Sequence, residues 1–177
     1  MLIYPNQKLA IIIDGSNLYA TAKNLEFEID YIKLLNLFKS KGQFVRGYYF
    51  TLVDESHEMI SIRPLLDFLD YNGYSIRTKP TKSFTDNYGN EKIKGSMHVE
   101  IAVTMMELTD SIDHFILFTG DGDFEGLVEG VQKKGCVVSV VSTVKSRPPM
   151  VSDQLRRQAD QFIDLYDLIK IVGSVPP

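Results

Sequence analysis

Short unbroken apolar runs alternate along the chain with longer stretches whose apolar residues recur at helical spacing. Leu9–Ile13, Phe44–Leu52, Tyr74–Thr78, His114–Phe118 and Cys136–Val141 read as strands, with Phe162–Ile163 as a last short one. Between them, Asp30–Ser40, His57–Asn72, Ser96 to about Leu108, Phe124–Lys134, a short piece through Gln158 and Leu165–Ile171 read as helices. Asp30, Ser96 and either Ser152 or Asp153 are the expected N-caps, and Gly42, Gly73 and Gly135 the expected stops. Pro64 must lie near the start of its helix or kink it. Val99, Ala102, Val103 and Met106 are the expected apolar stripe of the helix after Ser96. Lys79–Lys94 is polar, and Asn87-Tyr88-Gly89-Asn90 marks a turn suited to a hairpin tip. Strands alternating with helices at this spacing predict an α/β fold, a three-layer α/β/α sandwich around a mostly parallel sheet. Linkers, repeats and low-complexity segments are absent from the sequence, so a single domain is expected over 8–172, with short tails at 1–7 and 173–177.

Two of the apolar runs end abruptly in acid and glycine: Leu9-Ala10-Ile11-Ile12-Ile13-Asp14-Gly15-Ser16-Asn17 and Phe115-Ile116-Leu117-Phe118-Thr119-Gly120-Asp121-Gly122-Asp123-Phe124. Uninterrupted apolar strands are those covered on both faces of a parallel sheet. Ligands bind outside the carboxyl ends of such strands. Asp14, Asp121 and Asp123 are therefore expected at one edge. Crowded carboxylates raise each other's pKa unless a cation neutralises them, and hard oxygen ligands suit Mg²⁺ or Mn²⁺. Each acid also has a plainer use: Asp14 as a turn residue and Asp123 as a helix cap. Asn17 can orient Asp14, touch substrate or cap a helix. Thr119 and Ser142, also at strand ends, can meet phosphate or serve as turn hydroxyls.

Composition places few limits on this picture. The 177 residues suffice for a full core, and 44% hydrophobic with 24% charged residues is ordinary for a globular protein. There is no signal-peptide pattern or membrane-length apolar run, and the single Cys136 cannot form an internal disulfide, so a cytoplasmic location is expected. The net charge is −4, yet Arg77, Lys79, Lys82, Lys92 and Lys94 outnumber Asp86 and Glu91, and Lys145, Arg147, Arg156 and Arg157 outnumber Asp153. A basic rim about an acidic centre suits a polyanion, although solvated loop lysines would look the same. A Cys/His cluster, a Walker loop, a GxGxxG turn and a G-x-S-x-G elbow are all absent, which disfavours zinc, nucleotide and serine-hydrolase chemistry. His57 and His114 are expected at the surface or at a strand edge.

Asp14-Gly15-Ser16-Asn17-Leu18, Lys94-Gly95-Ser96-Met97-His98-Val99-Glu100-Ile101-Ala102-Val103 and Thr119-Gly120-Asp121-Gly122-Asp123-Phe124, in this order and spacing, resemble the LabA-like branch of the NYN domain family, within the PIN-like nuclease superfamily. The resemblance continues through Pro148-Pro149-Met150-Val151 and Leu155–Ile163, covering nearly the whole chain. It implies a PIN-like sandwich and divalent-metal-dependent RNA processing. Asp14, Asp121 and Asp123 match the acidic positions and Asn17 the polar residue after the first strand. His98 stands where the family pattern has an acid, and Thr104 where it has another. His98 can bind Mn²⁺ as a neutral imidazole but suits Mg²⁺ poorly. Glu100, two residues along a helix, turns to another face.

The expectation is thus a ribonuclease with Asp14, Asp121, Asp123 and Asn17 as catalytic residues. Asp14, Asp121, Asp123 and His98 are its metal ligands, and Asn17, Thr119, Lys94, Arg156 and Arg157 its substrate contacts. The alternative is a weakened or inactive RNA-binding or regulatory module, because His98 and Thr104 remove two charges. A haloacid-dehalogenase-like phosphohydrolase needs a second Asp two residues after the first, where Ser16 stands. A homodimer is compatible with the sequence, with the aromatic strand around Phe44, Tyr48, Tyr49 and Phe50 serving either an interface or the core.

Overall fold

Six of the strands pair side by side, all parallel, as a hydrophobic sheet covered on both faces requires. The computed structural model describes residues 1–53, 58–85 and 91–174, with backbone alone for 58–61, 82–85 and 91–94. In chain order the elements are β1 (Lys8–Asp14), α1 (Gly15–Asn24), α2 (Tyr31–Lys39), β2 (Gln43–Val53), α3 (Glu58–Tyr71) and β3 (Tyr74–Pro80). Then follow β4 (Lys82–Thr85), β5 (Glu91–Lys94), α4 (His98–Glu107), β6 (His114–Phe118), a 3₁₀ turn (Gly122–Phe124) and α5 (Glu125–Lys133). The chain continues through β7 (Val137–Ser142), α6 (Asp153–Gln158), β8 (Gln161–Asp164) and α7 (Leu165–Val172). The sheet order is β3-β2-β1-β6-β7-β8, while β4 and β5 form a separate antiparallel hairpin.

This is a mixed α/β fold with helices on both faces, as the alternating pattern predicts. Side-chain alternation along the central strands sends Ala10, Ile12, Phe115 and Leu117 to one face, under α4, α5 and α6. Ile11, Ile13, Ile116 and Phe118 point to the other, under α1, α2, α3 and α7. The strand order runs outward in one direction from β1 to β3 and in the other from β6 to β8. The switch point lies between β1 and β6, and the carboxyl end of that junction is where doubly wound sheets bind ligands.

Three features differ from the sequence expectation. Helix α1 starts directly at Gly15, where no helix is predicted; its apolar residues are few, and only Leu18, Thr21, Ala22 and Gly15 are buried. In α4 the buried side is Ile101 and Met105, continued by Met97, whereas Val99 is 67% and Val103 50% exposed. The helix is apolar on two sides, so periodicity alone selected the wrong one. His114 is buried, with Nε2 2.8 Å from Ser139 Oγ and Nδ1 3.2 Å from Gln7 Oε1. Burial pushes its pKa down to about 4. His57 and the expected tip at 87–90 lie outside the described residues. Among the described residues, no helix is long and apolar enough to cross a membrane.

Candidate functional site

Asp14 ends β1 and caps α1, so the first acid is placed where strand gives way to helix. It is buried; Oδ1 accepts from Ser16 Oγ at 3.0 Å and Asn17 N at 3.4 Å, and Oδ2 accepts from the Thr119 hydroxyl at 3.2 Å. Three donors thus solvate this carboxylate in place of water. Gly15 follows because a Cβ there would lie 2.7 Å from the Tyr49 ring and 2.8 Å from the Phe50 carbonyl.

The loop after β6 is pinned from several sides. Gly120 N donates to Asn17 Oδ1 at 2.9 Å, and its carbonyl accepts from Ser152 N at 2.9 Å. A Cβ at Gly120 would come within 1.6 Å of the Met150 carbonyl oxygen, an approach no side chain permits. Thr119 Oγ also accepts from Asp121 N at 3.3 Å, so one buried hydroxyl links Asp14 to the turn that carries Asp121. Asp121 in turn caps the 3₁₀ turn, accepting from Asp123 N at 3.0 Å. Asp121 therefore caps the 3₁₀ turn, with Asp123 inside it, and the cap position of α5 is Phe124, which makes no side-chain cap bond. Ser142 is buried and donates to the Met150 carbonyl at 3.0 Å, which places it in loop packing.

His98, the first residue of α4, completes the arrangement. Its N–H donates to Ser96 Oγ at 3.1 Å, so Ser96 serves the helix start although Met97 occupies the cap position. The imidazole lies edge-on to Phe124 with ring centroids 4.7 Å apart. Nε2 is 3.1 Å from Asp121 Oδ2, and Nδ1 is 3.7 Å from Asp123 Oδ2. His98, Asp121 and Asp123 each offer one donor atom within 4.8 Å of the others. One imidazole nitrogen and two carboxylate oxygens, all reachable from solvent, form a donor set that fits a divalent cation. Asp14 is not in that set. Glu100 faces away from it: its Oε1 pairs with Lys79 Nζ at 2.7 Å, a hydrogen bond that holds its carboxyl below the usual range.

The basic residues are distributed unevenly. Arg156 stacks over the Phe162 ring at 5.0 Å, and Arg157 pairs with Asp153 at 2.6 Å along α6, whose N-terminus abuts the 3₁₀ turn through Ser152. Lys145 pairs with Asp167. The side chain of Lys94 lies outside the described residues. The linkages of Ser16, Ser152 and Phe124 have no clear signal in the sequence; only the position of Ser16 inside Asp-Gly-Ser-Asn hints at one of them.

A switch-point site on a doubly wound sheet, flanked by acids from β1 and the loop after β6, is consistent with a PIN-like domain, and the match to the NYN family suggests one of nuclease type or a regulatory one. The chain belongs to the NYN domain family, whose profile matches residues 8–168. It is 34% identical over 166 residues to Low amplitude and bright protein LabA of Synechococcus elongatus, covering 91% of this chain and 85% of that protein. The crystal structure of VPA0982, a protein of unknown function from Vibrio parahaemolyticus, has the same fold. It superimposes with a TM-score of 0.74 at 24% identity, covering 93% of this chain and 96% of that one.

Proposed function

We propose that this protein is a divalent-metal-dependent ribonuclease that hydrolyses RNA phosphodiesters at the carboxyl edge of β1 and β6. The observation that carries this reading is the convergence of His98, Asp121 and Asp123 at the switch point of a sheet in a nucleic-acid-related family. Those three side chains would hold the cation, which supplies Lewis acidity and neutralises charge at phosphate. Asp14, with its oxygens taken up by Ser16, Asn17 and Thr119, serves chiefly to hold the turn through Thr119. Asn17 does the same through Gly120, so the acids are fixed before substrate arrives. Lys94, Arg156 and Arg157 would meet backbone phosphates, which position RNA without reading sequence.

The test is RNA cleavage with Mg²⁺ and with Mn²⁺ by wild type, Asp121→Asn and His98→Asp. Metal-dependent cleavage by wild type should fall about 100-fold or more in Asp121→Asn. A second reading, a regulatory RNA-binding module, is favoured by one observation: an imidazole supplies one of the three donors, which lowers the negative charge of the cluster. Tight RNA binding without cleavage by wild type, with activity gained in His98→Asp, would establish that reading instead. Absence of both binding and cleavage would sink both.

A further inference from the structure

We infer that the hairpin of β4 and β5 is an arm that binds single-stranded RNA, through one face on which lysines flank an aromatic residue. This inference rests on RNA being the partner proposed above. The register decides which residues share a face. Lys82 stands opposite Lys94, Ser83 opposite Ile93, Phe84 opposite Lys92 and Thr85 opposite Glu91. Residues directly opposite each other lie on the same side of an antiparallel pair, and the side alternates along each strand. Lys82, Phe84, Lys92 and Lys94 therefore share one face, and Ser83, Thr85, Glu91 and Ile93 the other. Three lysines and no acid stand on the first face, against a single Glu on the second. Along the chain these lysines are scattered through a polar stretch, and the strand pairing gathers them.

Such a face is unfavourable for the hairpin by itself. Like charges directly opposite, as at Lys82 and Lys94, destabilise a strand pair. A two-stranded hairpin is marginal in water, and among the described residues β4 and β5 pair with no third strand. A polyanion along the face turns the repulsion into attraction. Phe84 and Lys92 form the next pair on that face, about 7 Å along the strand from the lysine pair. A phosphate at the lysines leaves a neighbouring base at the aromatic position, where any base can stack. Only a base released from a partner strand can do so, which selects single-stranded RNA over duplex.

The hairpin is rooted beside the candidate site. Thr81 N donates to Val53 O at 2.9 Å, where β2 and β3 end together. A Cβ at Gly95 would lie 3.0 Å from Leu52 Cδ1, so the chain leaving β5 returns to the same place. Lys79 closes that junction, with Nζ 3.4 Å from Ser96 O and 2.7 Å from Glu100 Oε1. This is the carboxyl edge of the parallel sheet, which also carries Asp14 and Asp121, and His98 follows Lys94 by four residues. A strand held on the arm is thereby led toward His98 and Asp121. Lys79, paired with Glu100, and Arg77, over the Tyr48 ring at 5.8 Å, belong to the sheet and not to the arm.

The experiment uses the intact protein in EDTA, where metal-dependent cleavage does not compete with binding. Fluorescence anisotropy measures affinity for a single-stranded RNA and for a duplex of the same length, at several salt concentrations. Wild type should prefer the single strand. Phe84→Ala should weaken single-strand binding about tenfold and leave duplex binding unchanged, and Phe84→Trp should restore it. Lys82→Gln with Lys92→Gln should make the slope of log K against log salt shallower by about 1.4, corresponding to two phosphates. RNA carrying 5-iodouridine, irradiated on wild type, should crosslink to the peptide that contains Phe84. Equal loss on both RNAs in Phe84→Ala, an unchanged salt slope, or crosslinks confined to other peptides would each overturn the inference. The wild-type crosslink decides even where a variant fails to fold. Metal-dependent cleavage that Phe84→Ala and the lysine double variant leave intact would remove the arm and keep the nuclease reading. A Phe84 crosslink and single-strand preference with no cleavage in Mg²⁺ or Mn²⁺ would do the reverse.

Discussion

His114 illustrates how much a single residue's role depends on where the strand carrying it lies. It begins β6, the strand next to β1 at the centre of the sheet, and is almost wholly shielded from water. Gln7 Oε1 accepts from Nδ1–H, so Nε2 accepts from the Ser139 hydroxyl and the ring is held neutral. The unfolded chain protonates this histidine near pH 6.5, while the folded pKa is about 4. Between those values the unfolded state binds the extra proton, so stability falls as pH drops from 6.5 toward 4 and levels off below. The expected contribution is about 3 kcal/mol across that window. Urea denaturation at pH 7 and pH 4.5 checks it: the stability difference between the two should shrink by about 2–3 kcal/mol in His114→Gln. An unchanged difference would show that His114 titrates normally.

At the scale of elements, α4 sets the composition of the candidate site. Its start delivers His98 to the 3₁₀ turn, and its next turns bury Ile101 and Met105 against β1 and α5. Val99, Val103 and Met106 point outward. Ile101→Ala should therefore cost about 2–5 kcal/mol, through reduced burial and the cavity left behind. Val103→Lys should change stability by less than about 0.5 kcal/mol. Thermal or chemical denaturation of the two variants separates these cases, and comparable destabilisation in both would refute the assignment of the buried side. The helix and its length are legible in the sequence but its orientation is not, because apolar residues occupy both sides and only packing against the sheet distinguishes them. Helix α1 is hidden for the converse reason. Its sequence has little apolar periodicity, and its packing rests on Leu18, Ala22 and the Asp14 cap.

For the whole molecule, the net charge of −4 is unevenly spread, and Arg156 and Arg157 lie together in the last turn of α6, the helix whose N-terminus meets the 3₁₀ turn through Ser152. If these arginines meet RNA phosphates, Arg156→Ala with Arg157→Ala should weaken binding to single-stranded RNA. The slope of log K against log salt should become shallower by about 0.7 for each phosphate no longer neutralised. Arg157, already paired with Asp153, should contribute the smaller share. Fluorescence anisotropy at several salt concentrations measures this, and an unchanged slope would place the phosphates elsewhere.

The sheet and the strand ends can be read from the chain alone. Apolar runs such as Leu9–Ile13 and His114–Phe118 must be covered on both faces, and the Asp-Gly and Thr-Gly-Asp steps that end them mark where the chain leaves the sheet. That reasoning is local, resting on burial and on turn chemistry between neighbours in the chain. Which acids stand together is settled by packing between distant parts of the chain. Asp14 and the turn at 121–123 are joined by Thr119, yet Asp14 is taken up by hydrogen bonds, while His98 arrives from a helix more than twenty residues away in the chain. Such proximity depends on how α4, which follows β5 and precedes β6 in the chain, packs against the sheet. That placement is set by the packing of Ile101 and Met105 in three dimensions and leaves no periodic trace in the chain.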